Sequence, residues 1–328
     1  MKYKNVIITG GAGFIGSHLV DLLVKKNYNI TVIDNFCSGT LKNLSKVKNK
    51  IKIVKFDVSK VKKNNPIFKK CNAIIHLAGI GDIVPSIEKP KKYFNTNFMG
   101  TLNILEVMRY NKINKIIYAA SSSCYGIAKT PTNENNKINC EYPYALSKFM
   151  GEELIKHWSK VYKIKYISLR IFNAFGERYK TKGAYGSVIG VFMKQMLSSE
   201  PLTVVGSGKQ RRDFLYVTDV AYAFYLALKS KKKNKIYNLA SAKPISVNQL
   251  ITNIGYKRII KIPIRKKEPF ITFADINKIK RELKWRPKIP FSTGIKIMME
   301  NKNYWLNAPL WTPKKIKKAT ELWHKYMK

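Results

Sequence analysis

The chain has 328 residues, 45% of them hydrophobic and 12% aromatic, which is enough apolar material for a large core and fits a folded globular protein and not a disordered one. Its 62 Lys and Arg against 19 Asp and Glu give a formal charge of +43, yet the basic residues fall in short clusters such as Lys62-Lys63, Lys231 to Lys233 and Lys314 to Lys318 among many Asn and Ile, a compositional bias and not a nucleic-acid surface. No apolar run approaches the roughly 18 residues of a membrane span, and Cys37, Cys71, Cys124 and Cys140 form neither a CxxC pair nor a metal-ligand spacing with His, so the expectation is a cytoplasmic chain with no cleaved signal, no metal, and no nucleic-acid or membrane partner.

In chain order, β-branched apolar runs alternate with amphipathic stretches, the pattern of a doubly wound α/β domain on a parallel sheet. Strands are predicted at Val6 to Thr9, Ile30 to Asp34, Ile51 to Asp57, Ala73 to Leu77, Ile116 to Ala120 and Ile164 to Arg170. Helices are predicted at Phe14 to Lys26, Tyr93 to Tyr110 and Tyr144 to Val161. Past Arg170 the regularity loosens, with a helix near Val217 to Leu228, a strand at Ile236 to Leu239 and a Trp-containing C-terminal stretch to which no chemistry attaches.

The first strand runs straight into Gly10-Gly11-Ala12-Gly13-Phe14-Ile15-Gly16, which opens a helix. Glycine permits the turn and the close approach of a pyrophosphate, and the helix N-terminus favours its charge. Asp34 ends the next strand 18 residues after Gly16, where a carboxylate accepts from ribose hydroxyls and repels a 2′-phosphate, so NAD is expected over NADP. Asp57 closes the third strand, either to meet the adenine or simply to form a turn.

Tyr144 and Lys148 stand four apart at the start of a helix, so both project from one face. An ammonium beside a phenol stabilises the phenolate and lowers its pKa, making Tyr144 a general base. The fifth strand ends in Ser121-Ser122-Ser123-Cys124-Tyr125-Gly126, presenting hydroxyls at the carboxyl end of a parallel sheet, where one can hold a sugar oxygen. No G-x-S-x-G elbow surrounds these serines, which argues against a nucleophilic serine.

Together these features resemble the extended short-chain dehydrogenase/reductase family, and within it the nucleotide-sugar 4-epimerases acting on UDP-glucose and UDP-N-acetylglucosamine. The carriers are Thr9 to Gly16, Asp34-Asn35, His76-Leu77-Ala78-Gly79, Asn97 with Gly100-Thr101, Ser121 to Gly126, Tyr144 to Lys148, Arg170 to Gly176 and Arg212-Asp213-Phe214, nearly the whole chain. The resemblance implies a Rossmann-type NAD domain over 1–172 and a smaller mixed α/β substrate-binding lobe over 173–328, with segments around 212–240 returning to the first. It implies a cofactor site at Gly10, Gly13, Phe14, Ile15, Gly16, Asp34, Asn35, Asp57, Val58, Leu77, Ala78, Gly79, Asn97, Tyr144 and Lys148. Catalysis then falls to Tyr144, Lys148, Ser121 and Ser122. The nucleotide sugar falls to Ser86, Ser123, Asn173, Arg212, Arg265, Glu268 and Thr272. Guanidinium forks match phosphate oxygens, which supports the two arginines.

The implied reaction removes a proton from a sugar hydroxyl as hydride passes to NAD, then returns the hydride to the other face of the keto-sugar. Sugar 4,6-dehydratases of the family carry an acidic pair where this chain has Ser122 and Ser123, and its decarboxylases carry a Glu in the same turn, so both are disfavoured. A C2-epimerase, a reductase, and a silent dinucleotide- or RNA-binding protein on the same fold stay as alternatives. Thr272 matches a gate facing the sugar C2 group, and its small size predicts that N-acetylhexosamines are accepted. The usual Arg-x-Gly-Asp stretch reads Arg265-Lys266-Lys267-Glu268, which alters the local phosphate contact. The two helices Tyr93 to Tyr110 and Tyr144 to Val161 resemble a dimerisation pair, implying a homodimer.

Overall fold

A computed structural model describes residues 3–179 and 186–327. Six strands, β1 (Asn5–Thr9), β2 (Asn29–Asp34), β3 (Lys52–Lys55), β4 (Ala73–His76), β5 (Lys115–Ser121) and β6 (Lys165–Ile171), form one parallel sheet in the order β6-β5-β4-β1-β2-β3. The late strand Lys235–Leu239 adds in parallel to the outer edge of β6 as the seventh member. This is the Rossmann arrangement, and chain direction across the sheet reverses between β1 and β4, which opens a crevice at their carboxyl ends.

Parallel strands covered on both faces read as continuous apolar runs, and β1 shows why. Val6 and Ile8 point into one core layer with Leu19, Leu23 and the helix Val217–Lys229, while Ile7 points into the other with Ile74, Ile104, Leu105 and Ile155. Leu19 and Leu23 are fully buried, each contributing roughly 1.5–3 kcal/mol relative to exposure. A second core, with Phe175, Phe192, Phe214, Trp305 and Ile316, belongs to the smaller region after β6. Its short strand pairs, Leu202–Val205 with Ile259–Ile262 and Arg211–Arg212 with Ile245–Ser246, stand apart from the main sheet.

Two expectations need correction. The predicted helix Tyr93 to Tyr110 contains a π-helical segment, Phe94–Met99, ahead of the regular helix Gly100–Tyr110. The wider turn seats Asn97, whose amide donates to Ile80 O at 3.1 Å and Ser147 Oγ at 3.0 Å, so a side-chain requirement overrides regular spacing. Asp57 lies beyond β3, not in it: its carboxylate caps the 3-10 turn Val58–Lys60 through Ser59 N at 2.9 Å. The C-terminal stretch is folded, with helices Pro313–Ala319 and Glu321–Tyr326 laid back on the body of the protein. No helix of the described residues is long and apolar enough to cross a membrane.

Candidate active site

The glycine turn between β1 and the helix Phe14–Lys25 takes its shape from backbone conformation and is braced by side chains from the next segment. Gly10 takes φ +70° and donates to Ile33 O at 2.8 Å, a conformation that disfavours any residue with a Cβ. At Gly16 a Cβ would be driven into Gly10 O, so the first turn of the helix lies directly on the loop. Phe14 and Ile15 open that helix and turn their side chains toward the second core. Asp34 sits opposite, 7% exposed, accepting from Ala12 N at 3.0 Å and Phe36 N at 2.8 Å; burial raises its carboxyl above the ordinary range. The carboxylate therefore braces the cradle as well as facing it, a duty that spacing alone did not show.

Asn35 donates to Asp57 at 3.0 Å, tying the ends of β2 and β3 together. Burial works to raise the Asp57 carboxyl, but hydrogen bonds from Asn35 and Ser59 outweigh it and hold it low. Val58 is buried against Gly100. Beyond β4, Leu77 N and Ala78 N donate to Thr9 O and Thr9 Oγ1 at 3.0 and 3.2 Å, which joins this loop to the cradle. A Cβ on Gly79 would stand 2.9 Å from Asn97 Oδ1 and 3.6 Å from Lys148 Nζ, so the missing side chain leaves room between β4 and the helix carrying the lysine. His76, enclosed between Thr9 and Thr101, is pushed down to about 3 by burial and by Lys148, and stays neutral.

These groups fit a dinucleotide: a backbone cradle no Cβ would tolerate, a helix N-terminus behind it, and a carboxylate at the ribose position. The helix Pro143–Tyr162, packed against β5 and β6, carries the residues that would handle the proton beside a dinucleotide held there. Tyr144 and Lys148 share one face of that helix. Lys148 is 6% exposed with Nζ 4.3 Å from the Tyr118 ring centroid, and burial lowers it to about 7 against a pull upward from Glu152. Tyr144 differs from expectation: burial raises its phenol, the Ser121 hydrogen bond pulls it down, and Asp82 and Cys124 push it up. The lowering expected from Lys148 is not found: burial of the phenol is the largest influence and outweighs the Ser121 hydrogen bond.

Ser121, 7% exposed, ends β5 and also accepts from Ser123 N at 3.2 Å. Ser123 hydrogen-bonds Tyr142, and Ser122 lies between them, half-buried. Ser86 is buried and donates to Ile83 O at 2.6 Å, so its hydroxyl holds the loop after β4.

On the other side of the crevice the structure gathers Arg212, Arg265 and Glu268. Glu268 Oε1 accepts from Arg212 at 2.7 Å and Oε2 from Arg265 at 2.6 Å. Burial alone would raise its carboxyl, but the two guanidiniums hold it below the usual range. Thr272 Oγ1 donates to Asn173 Oδ1 at 3.1 Å and accepts from Asp213 N at 3.2 Å, so its methyl and not its hydroxyl is free to line space.

Sequence reasoning missed a buried polar network behind the helix. Glu152, on the face carrying Tyr144 and Lys148, takes Arg170 at 2.5 Å and Ser168 at 2.6 Å; Arg170 reaches Tyr125 Oη at 2.8 Å, and Tyr125 donates to Asn238 at 2.7 Å. The i, i+4, i+8 spacing of 144, 148 and 152 is the signal that was available. Among the described residues no group of three or more His, Cys, Asp or Glu is placed to hold a metal ion.

A seven-stranded parallel sheet with a glycine cradle at its switch point and a Tyr/Lys helix facing it defines a dinucleotide-dependent enzyme. The profile of the NAD dependent epimerase/dehydratase family matches residues 6–240, and the chain belongs to that family, whose cofactor is NAD. A Methanocaldococcus jannaschii protein with the provisional name UDP-glucose 4-epimerase is 39% identical over 309 residues, spanning 91% of this chain and 99% of its own. A UDP-N-acetylglucosamine 4-epimerase from Methanobrevibacter ruminantium M1, solved with UDP-N-acetylmuramic acid, superposes with TM-score 0.85 at 31% identity, covering 92% of this chain and 100% of its own. Epimerase Mth375 of Methanothermobacter thermautotrophicus superposes with TM-score 0.85 at 25% identity over 99% of this chain and 95% of its own, a match long enough to take in the C-terminal helices.

Proposed function

We propose that the chain inverts C4 of a UDP-hexose or UDP-N-acetylhexosamine. The observation that carries the reading is the environment of Tyr144: a phenol bonded by Ser121, on one helix face with Lys148, above a β5 turn that contains three serines and no carboxylate. NAD in the cradle supplies the hydride acceptor and donor. Ser121 holds the C4 oxygen and Tyr144 takes its proton. A phenol raised by burial needs a neighbouring base or cation to ionise, and Lys148, poised at about 7, serves both states. Once the hydroxyl is oxidised, the oxygen stays between Ser121 and Tyr144 while the ring turns, and Tyr144 returns the proton.

Arg212, Arg265 and Asn173 take the diphosphate, with Ser123 toward the sugar and Thr272 beside its C2 substituent. Glu268 aligns both forks in advance, so the cation pair is set before ligand arrives. A homodimer through the helices Gly100–Tyr110 and Pro143–Tyr162 belongs to the same reading, supported by the exposed apolar side chains of Tyr110, Leu146, Val161 and Tyr162.

The test is to incubate the enzyme with UDP-N-acetylglucosamine, UDP-glucose and UDP-glucuronate and follow products by NMR. The C4 isomer is expected from at least the first. Products lacking water would make the chain a dehydratase, and no change in any of the three would overturn the proposal.

A further inference from the structure

The last helix, Glu321–Tyr326, brings one large side chain into the site from the far end of the chain. Trp323 is 3% exposed. Its ring packs on Tyr142 with centroids 5.7 Å apart, and Tyr142 lies parallel to Tyr144 at 6.5 Å with 6° between planes. Its indole N–H donates to Lys266 O at 2.9 Å. Lys266 is flanked by Arg265, which pairs with Glu268 and through it with Arg212.

A single indole thus touches the element that begins the Tyr144 helix and the backbone of the loop that presents Arg265 and, through Glu268, braces Arg212 on the strand Arg211–Arg212. Around it Met327, Ala145, Ile83, Val84 and Ile87 form a small apolar cluster that joins the second core through Val84. Tyr142 is also hydrogen-bonded by Ser123, so the contact reaches the β5 turn. Indole is suited to this position: one edge is apolar and broad, the other carries one donor, and a buried Trp N–H needs a partner.

We propose that Trp323 is a positioning residue that sets the distance between the proton-handling Tyr144 and the diphosphate-binding arginines, making the C-terminal helix a wall of the nucleotide-sugar pocket. The inference rests on the function proposed above. Loss of the indole lets the 265–268 loop relax away from the Tyr144 helix, so a nucleoside diphosphate meets its arginines at the wrong spacing. The effect falls on ligand hold more than on the chemical step, and NAD, seated on the opposite side of the crevice, is untouched.

The experiment compares wild type, Trp323→Phe and Trp323→Ala by calorimetric UDP binding, by KM and kcat on the active UDP-sugar, and by NAD content. Trp323→Phe keeps an aromatic ring against Tyr142 while removing the N–H and part of the indole; it is expected to raise the Kd for UDP and the KM about threefold to tenfold, one hydrogen bond's worth. Trp323→Ala is expected to raise both further, with KM moving more than kcat and NAD content unchanged. Wild-type UDP affinity in the Phe variant and, where it folds, the Ala variant overturns the proposal, as does loss of kcat and NAD together with KM unmoved. A wild-type chain that binds no UDP removes the functional reading and this inference with it, whereas normal wild-type binding with unaffected variants removes the inference alone.

Discussion

At the dinucleotide end of the crevice, the cradle and its brace lie between residues 10 and 34, and nearly every contact is a backbone bond or a bond to backbone. At the sugar-nucleotide end, Asn173, Arg212, Glu268, Thr272 and Trp323 arrive from four separate segments, and the bonds that join those segments run through side chains. The first end is rigid because a conformation was written into glycines. The second is assembled by tertiary packing and holds its geometry only as well as its supports do. The two should therefore fail differently when cut.

The largest effect belongs to the seam between them. Tyr144→Phe removes the proton-handling hydroxyl while keeping the ring that Tyr142 and Tyr93 pack against. Turnover should fall by about 10³-fold to 10⁴-fold with NAD content and UDP affinity unchanged. Single-turnover measurement of hydride transfer separates this from a binding defect, and a loss below tenfold would move the proton to another group, Asp82 first.

Next comes the lysine on the cofactor side. Lys148 titrates near 7 in the folded chain against 10.5 in the unfolded one, through burial. Between those values the unfolded chain binds more protons, so stability rises with pH; the penalty is complete below about pH 7 and fades toward pH 10.5. NAD-free Lys148→Met should then be more stable than wild type at pH 7, with the gap closing as pH rises, by at most about 1.4 kcal/mol per unit. Urea titrations at pH 7, 8.5 and 10 test the slope, and a constant gap would mean that Lys148 titrates as an exposed lysine does.

Gly16→Ala breaks the cradle by backbone collision alone. Displacing the loop forfeits one or two of its hydrogen bonds to a pyrophosphate, which lowers NAD affinity by about a hundredfold. Equilibrium binding with fluorescence detection reads this, and UDP affinity should hold. A joint loss of NAD and UDP would show that the two ends are not separable.

Legibility in the sequence follows the same division. Strands β1 to β6 were readable to within a few residues, most directly where a doubly covered parallel strand is an apolar run, as Val6 to Ile8 shows. The cradle was readable because a positive φ at Gly10 and the collision at Gly16 are local demands. Strand order was not readable, since nothing in Lys235 to Leu239 states that it pairs with β6. Arg212 and Arg265 entered by resemblance, but that one carboxylate clamps both required residues 56 apart in the chain to meet. Trp323 carried no local pattern, and the Glu152 to Asn238 network showed only the helical spacing of Glu152 with Lys148 and Tyr144, because the partners of both are set by packing.

The smallest expected effect is also the finest probe of the sugar end. The Thr272 hydroxyl is spent on Asn173 and Asp213, so what it offers a substrate is a small methyl and the space beyond it. Thr272→Tyr fills that space and breaks both bonds. Smaller C2 substituents should tolerate the change better than an acetamido group, because a pocket discriminates by volume at about 1–3 kcal/mol per missing methylene. The ratio of kcat/KM for UDP-glucose over UDP-N-acetylglucosamine is therefore expected to rise about tenfold or more, with NAD content constant. A ratio that stays at its wild-type value while both activities fall would assign Thr272 to bracing Asn173 alone and place the C2 pocket elsewhere.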